Sequence, residues 1–190
     1  MSTLVYVHGT NGSGKSTLAR AVINAAGGII PDSAWQLDWN RRAKWAHTTQ
    51  RVVMVGKYTN RPCGGVDCIA PYRDVYEVLK ITHKRNAFAE GLMTPGIETC
   101  RKYADLYKRA VFIHLDTPVD QCLANHLKRK ETIGSTRPYD PKNLYKKAET
   151  AKRWRENLER AGLEAYSLQW PQAKQLTFEL FGLNDYDDLL

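Results

Sequence analysis

Gly9-Thr10-Asn11-Gly12-Ser13-Gly14-Lys15-Ser16, followed by Thr17, fits G-x-x-x-x-G-K-S in full. Glycines suit such a loop because backbone N–H groups must curl around phosphate oxygens in conformations with positive φ. The start of the following helix adds its positive dipole. Lys15 has the charge to neutralise β- and γ-phosphates, and the Ser16 hydroxyl is placed to hold Mg²⁺. A glycine loop that only turned the chain would not need a Lys-Ser pair in the first helical turn. ATP and Mg²⁺ are therefore the expected ligands.

Three acids could serve the same chemistry. Glu90, in Phe88-Ala89-Glu90-Gly91, sits where a strand-end carboxylate would hold a magnesium ion's water shell, or it is an incidental acid. Asp32, in Ile30-Pro31-Asp32-Ser33-Ala34-Trp35, is a candidate general base at a strand end; equally, Asp before Ser-Ala-Trp caps a helix well. Asp67 follows Gly64-Gly65-Val66, a turn that lets backbone approach closely while presenting a carboxylate to take a proton or bond a base edge. Lys57 and Tyr58 follow the apolar run Val52 to Gly56 toward the same edge. Arg129 and Arg137 flank a loop that could carry cations to a transferring phosphoryl group; ordinary surface arginines are the alternative.

The elements that must position these residues alternate between strand and helix. Residues 3–8 read as a strand, 15–26 as a helix stopped by Gly27-Gly28, and 28–31 as a second strand. A hairpin follows over about 44–56, then a helix over 72–84, a strand over 87–92 and a helix over 95–109. The run Val111 to Asp116 is the most strand-like in the chain, and Pro118 opens the next helix. A long basic helix over 141–161, a strand over 165–168 and a helix over 171–181 complete the pattern. Such alternation predicts one domain over 1–190: a three-layer α/β/α sandwich with a mainly parallel sheet, an inserted β-hairpin (about 33–70) and a basic helical lid (about 126–140). Ligands of such sheets bind outside the carboxyl ends of the strands.

Composition narrows the partners. With 43% hydrophobic and 25% charged residues the 190-residue chain excludes disorder, collagen-like repeats and a disulfide scaffold. Its four cysteines form no C-x-x-C pair and read as free thiols. No apolar run approaches the roughly 20 residues of a membrane span, and MSTLVYVHGT lacks the features of a signal peptide, so a cytoplasmic protein without a membrane partner is expected. The net charge of +8 points to a polyanion. Between Arg41 and Arg61 six basic residues, Arg41 and Arg42 among them, meet no acid and interleave with Trp35, Trp39 and Trp45 at its start. Rings beside cations stack bases while phosphates are held, although tryptophans are as often core. Between Lys128 and Arg160 eleven basic residues face five acids, a second basic stretch or a solvated helix face.

The stretch Leu115-Asp116-Thr117-Pro118 with the later Lys128-Arg129-Lys130 and Arg137 resembles nucleoside and nucleotide kinases, and no N-K-x-D base-reading motif of the GTPase switches is present. The phosphate loop, Gly56-Lys57-Tyr58 and Gly64-Gly65-Val66-Asp67 together resemble the phage-encoded P-loop kinases that phosphorylate 5-hydroxymethyluracil in DNA during thymine hypermodification. The resemblance implies an ATP- and Mg²⁺-dependent transferase acting on duplex DNA with a hydroxymethylated base, in the host cytoplasm. The target base would be flipped from the stack, with Trp35, Trp39, Trp45 and Tyr58 as candidates to wedge or stack. A deoxynucleoside, nucleotide or polynucleotide 5′-hydroxyl kinase is the alternative, and a nucleic-acid-binding NTPase without an acceptor is a third reading.

Overall fold

The computed structural model describes residues 2–31, 46–58, 65–69, 74–92, 94–136 and 139–184. β1 (Thr3–His8) is central because its six residues are buried on both faces, as a strand between two helical layers must be. Tyr6 and Leu4 pack on one face with Phe112, Tyr103 and Trp154, whereas Val5 and Val7 pack on the other with Leu18, Val22 and Phe178. This period-two division sets the layers. α1 (Lys15–Ala25) and α6 (Trp170–Phe181) cover one face, while α2 (Asp74–Thr82), α3 (Ile97–Leu106) and part of α5 (Pro141–Arg160) cover the other.

The sheet has the order β2-β3-β4-β1-β5-β6, with β2 (Ala46–Thr48), β3 (Val52–Val55), β4 (Asn86–Gly91), β5 (Arg109–Leu115) and β6 (Ala165–Leu168). All pairings are parallel except β2 with β3, which forms the expected hairpin at the sheet's edge. The α/β/α sandwich with a mainly parallel sheet is thus the architecture. Residues 28–31 do not form the expected strand: Ile30 N–H donates to Thr48 O at 2.8 Å, a single bond. Gly27 and Gly28, at φ 87° and 78°, are spent turning the chain out of α1. Among the described residues no helix is long and apolar enough to cross a membrane. Among the described residues Cys68, Cys100 and Cys122 form no disulfide with one another, and Cys63 lies outside the described residues.

The stretch expected to form a lid belongs to a helical hairpin. α4 (Val119–Thr132) leaves the carboxyl end of β5, and α5 returns antiparallel to it, with the Tyr145 hydroxyl donating to Asp120 Oδ1 at 3.0 Å and the rings of His126 and Tyr139 4.1 Å apart. Pro141 and an Asp140 cap that accepts from Lys142 N–H at 2.9 Å start α5. Trp154 anchors it on the sheet: its ring lies 4.9 Å from His8 and 6.1 Å from Phe112, and Nε1–H donates to Pro95 O at 2.8 Å. His8 ends β1, so the turns before Trp154 project past the strand ends.

Three glycines bring the turn after β3 onto the sheet. A Cβ on Gly56 would lie 2.2 Å from the backbone of Gly65, one on Gly65 would lie 2.2 Å from Glu90 O, and one on Gly91 would lie 2.6 Å from Val66 Cγ2. The short 3₁₀ turn Val66–Cys68 therefore rests directly on the ends of β3 and β4. Gly56 also holds φ at 117°, so Gly56→Ala should lower unfolding free energy by about 2 kcal/mol or more. Thermal denaturation should show a Tm lower by roughly 4–8 °C; an unchanged Tm would refute the close approach.

Candidate active site

The phosphate loop links β1 to α1, whose N-cap is Gly14 at φ 97° with no side-chain cap. The first N–H groups of α1 therefore have no side chain of their own to satisfy them and face whatever the loop encloses. Lys15 lies across the loop, its Nζ donating to Gly9 O at 2.9 Å and Thr10 O at 3.0 Å. Burial pushes its pKa down, opposed chiefly by the negative charge of Glu90 and then of Asp67. Thr10 Oγ1 and Ser13 Oγ are buried without hydrogen-bond partners. Orphaned hydroxyls, an uncapped helix start and a buried ammonium together fit a phosphate chain.

The first turns of α4 brace the loop from outside. Thr117 Oγ1 donates to Ser13 O at 2.9 Å and Asn125 Nδ2 to Gly12 O at 3.0 Å. A Cβ on Gly12 would lie 2.2 Å from Cys122 O, so the two backbones meet where only glycine fits. Arg129, two turns beyond Cys122, is half-buried, and its charge opposes that of Lys15.

Glu90, two residues beyond Phe88 along β4, shares its face and so points to the α1 side, where Ser16 Oγ donates to its Oε1 at 3.3 Å. Burial raises its pKa to about 7; Lys15 and the Ser16 bond pull down and Asp67 pushes up. Ser16 and Glu90 are thus the pair that would hold Mg²⁺, with phosphate oxygens and water completing an all-oxygen shell. Asp67 takes the Leu92 N–H on both carboxylate oxygens, at 2.9 and 2.7 Å, which fastens the 3₁₀ turn to the end of β4 and leaves the carboxylate exposed. The Tyr58 hydroxyl is buried without a partner; burial raises its pKa well above the usual tyrosine value, with Glu90 and Asp67 adding to the effect.

Of the residues singled out from sequence, the loop from Gly9 to Thr17, Glu90, Asp67, Gly65, Tyr58 and Arg129 converge on this edge of the sheet. Lys57 is exposed beside Tyr58. Asp32, Trp35, Trp39, Arg41, Arg42, Trp45, Gly64 and Arg137 lie outside the described residues.

Two features escaped sequence reasoning. His8 and His114 are paired in register at the ends of β1 and β5, buried beside Trp154. His8 Nε2 shares a hydrogen with Leu92 O at 2.9 Å, and burial pushes its pKa down to about 3, so it is neutral. The second is a cleft of about 410 Å³ on the outer side of the loop, bordered by Thr17, Pro118, Gln121, Asn125, Gln169 and Trp170. The Trp170 ring comes so near Gly14 that a Cβ there would lie 2.9 Å from Cδ1, and its Nε1–H is buried without a partner. An aromatic ring, two prolines and three side-chain amides suit a nucleobase beyond the phosphates. The position of Gln169-Trp170 at the carboxyl end of β6 was the available signal.

Two measurements test this geometry. Native Glu90 binds a proton between about pH 4.5 and 7 that the unfolded chain has released, so its contribution to stability is complete below that window and is lost as pH rises to 7. The stability of Glu90→Gln relative to the parent should therefore grow across the window and level off above it, by denaturant titration; a flat difference would place Glu90 in water. Trp170→Ala should weaken Mg-ATP binding roughly tenfold by calorimetry, with Trp170→Phe retaining most of it; equal affinity for all three would move the base elsewhere.

No known protein-family model matches the chain, and no curated protein matches it. Among solved structures the chain is similar to a shikimate kinase from Acinetobacter baumannii in complex with shikimate, at 15% identity and a TM-score of 0.42 over 96% of this chain and 94% of that one.

Proposed function

We propose that the protein is an ATP- and Mg²⁺-dependent phosphotransferase that phosphorylates the hydroxymethyl group of 5-hydroxymethyluracil in duplex DNA. The observation that carries the transferase reading is the meeting of Lys15, Ser16 and Glu90 at one point beneath a cationic helical hairpin. Phosphoryl transfer asks for positioning and charge neutralisation more than for covalent catalysis. When bound, ATP would supply the phosphoryl group, and Mg²⁺ held by Ser16 and Glu90 would offset the charge of its oxygens.

The chain supplies the rest. Lys15 exchanges its loop carbonyls for phosphate oxygens, and Ser16 with Glu90 fixes the metal. Arg129 brings a further positive charge from the lid, whose closure would exclude water that competes for the phosphate. The proton of the acceptor hydroxyl passes to a carboxylate, with Asp67 and Asp32 the candidates, as that oxygen bonds to γ-phosphorus and the bond to the β-bridging oxygen breaks. The net charge of +8 supports a polymeric acceptor, since a small nucleoside needs no such field.

One observation favours the second reading, a kinase of a nucleoside, a nucleotide or a 5′-hydroxyl end. Three arginines of α5 are matched by glutamates one turn away, Arg153 with Glu149, Arg155 with Glu159 and Arg160 with Glu156, so part of the positive excess is neutralised within the helix.

The deciding assay incubates the protein with γ-labelled ATP, Mg²⁺ and, separately, duplex containing 5-hydroxymethyluracil, the same duplex with thymine, and the free hydroxymethyl nucleoside. Digestion and mass analysis should find label in a phosphomethyl base from the first duplex alone, and Lys15→Ala should abolish it. Label on the free nucleoside or on 5′ ends would establish the second reading; phosphate release with nothing labelled would establish an NTPase.

A further inference from the structure

The charge of the lid hairpin is not evenly used. The glutamates of α5 are taken up by its arginines, Asp140 caps the helix and Asp120 accepts from Tyr145. Among the described residues, Lys142, Lys146, Lys147 and Lys152 form no ion pair, and the first three lie on the part of α5 that projects past the sheet. The uncompensated cations are thus concentrated toward the tip.

α4 divides its faces between two jobs. Cys122, Asn125 and Arg129, at i, i+3 and i+7, lie on the side that touches the phosphate loop. His126 and Lys130 are one residue further along and so sit about a quarter-turn round the helix, toward α5 and away from the triphosphate. There the His126 ring lies against Tyr139 at 4.1 Å, and both His126 Nδ1 and the Tyr139 hydroxyl are buried without partners. Leaving two such groups unsatisfied is costly. The charges that reach His126 are all positive: Arg129 and Lys130 from α4, and Lys147 from α5. Together with burial they hold its pKa below the usual histidine value. Glu131, the nearest acid in sequence, is a further 100° round α4.

We propose that this flank of the hairpin, formed by His126, Lys130, Tyr139 and Lys147, seats a backbone phosphate of the nucleic acid whose base is being phosphorylated. This rests on the DNA reading above. A phosphodiester oxygen would accept hydrogen bonds from the Tyr139 hydroxyl and from protonated His126 Nδ1, while the cations offset its charge. Seating a phosphate on the lid would couple lid position to the presence of polymer, which the phosphate loop alone cannot sense.

The test follows the His126 ring by NMR in the full chain while a duplex of about 20 base pairs containing 5-hydroxymethyluracil is added, with inorganic phosphate and Mg-nucleotide as parallel arms. The duplex should raise the His126 pKa by about one unit, because it brings negative charge among cations; the other two should leave it in place. Lys147→Gln should weaken duplex affinity several-fold near 0.1 M salt and reduce the slope of log K against log salt by about one. Tyr139→Phe, which keeps the ring contact, should weaken affinity by a smaller factor. If the parent phosphorylates the duplex but these variants leave affinity and slope unchanged, the phosphate seat is wrong and the DNA reading stands. A His126 shift produced by Mg-nucleotide alone would assign the cluster to ATP and overturn the seat. Phosphorylation of the free nucleoside with none of the duplex would remove the DNA reading and the seat together.

Discussion

An ammonium buried inside a protein must be compensated at once or it loses its proton, and Lys15 is buried at the centre of this molecule. Two loop carbonyls, Glu90 and Asp67 supply that compensation, and each comes from a different part of the chain. The carbonyls require the loop to fold back over the side chain. Glu90 requires β4 to lie beside β1 in a register that sets Val7 opposite it. Asp67 requires the turn after β3 to reach over both strands, which three close-packed glycines permit. Much of the sheet's arrangement can be understood as the condition for keeping one positive charge and one raised-pKa carboxylate together in a dry place.

That arrangement separates the duties of the two sheet faces. The α1 side carries the Ser16–Glu90 pair, because Phe88 and Glu90 share that face of β4. The opposite side ends in His8, His114 and Trp154, and burial lowers the pKa of both histidines there. The cleft beside Trp170 lies on the outer side of the loop, so the loop is a partition with walls of different chemistry.

The legible parts of the sequence were those whose meaning is local. The phosphate loop is eight consecutive residues with a steric reason for each glycine, and Glu90 was found by asking what stands at a strand end. The long basic helix and its start at Pro141 were equally readable, because helix signals and periodicity act over single turns. What could not be read depends on distant segments meeting. Trp170 matters because Gly14 lies under its ring, and His8 because Trp154 lies against it, across separations no window of sequence spans. Residues 28–31 failed differently: β-branched Ile29 and Ile30 suggested a strand, but the glycines before them are committed to ending α1, and one hydrogen bond to Thr48 is all the pairing that follows.

The contact between Gly12 and Cys122 has a mechanical side. Backbone rests on backbone there, with Thr117 and Asn125 bonded to the loop on either side, so no soft side chain absorbs a change in loop shape. α4 would act as a lever with its fulcrum at that point and an arm of about 15 Å from Cys122 to Thr132. Tilting such an arm by roughly 10° would carry its tip through about 3 Å by the same helix geometry. A small displacement of the loop would thereby be enlarged at the far end of the hairpin.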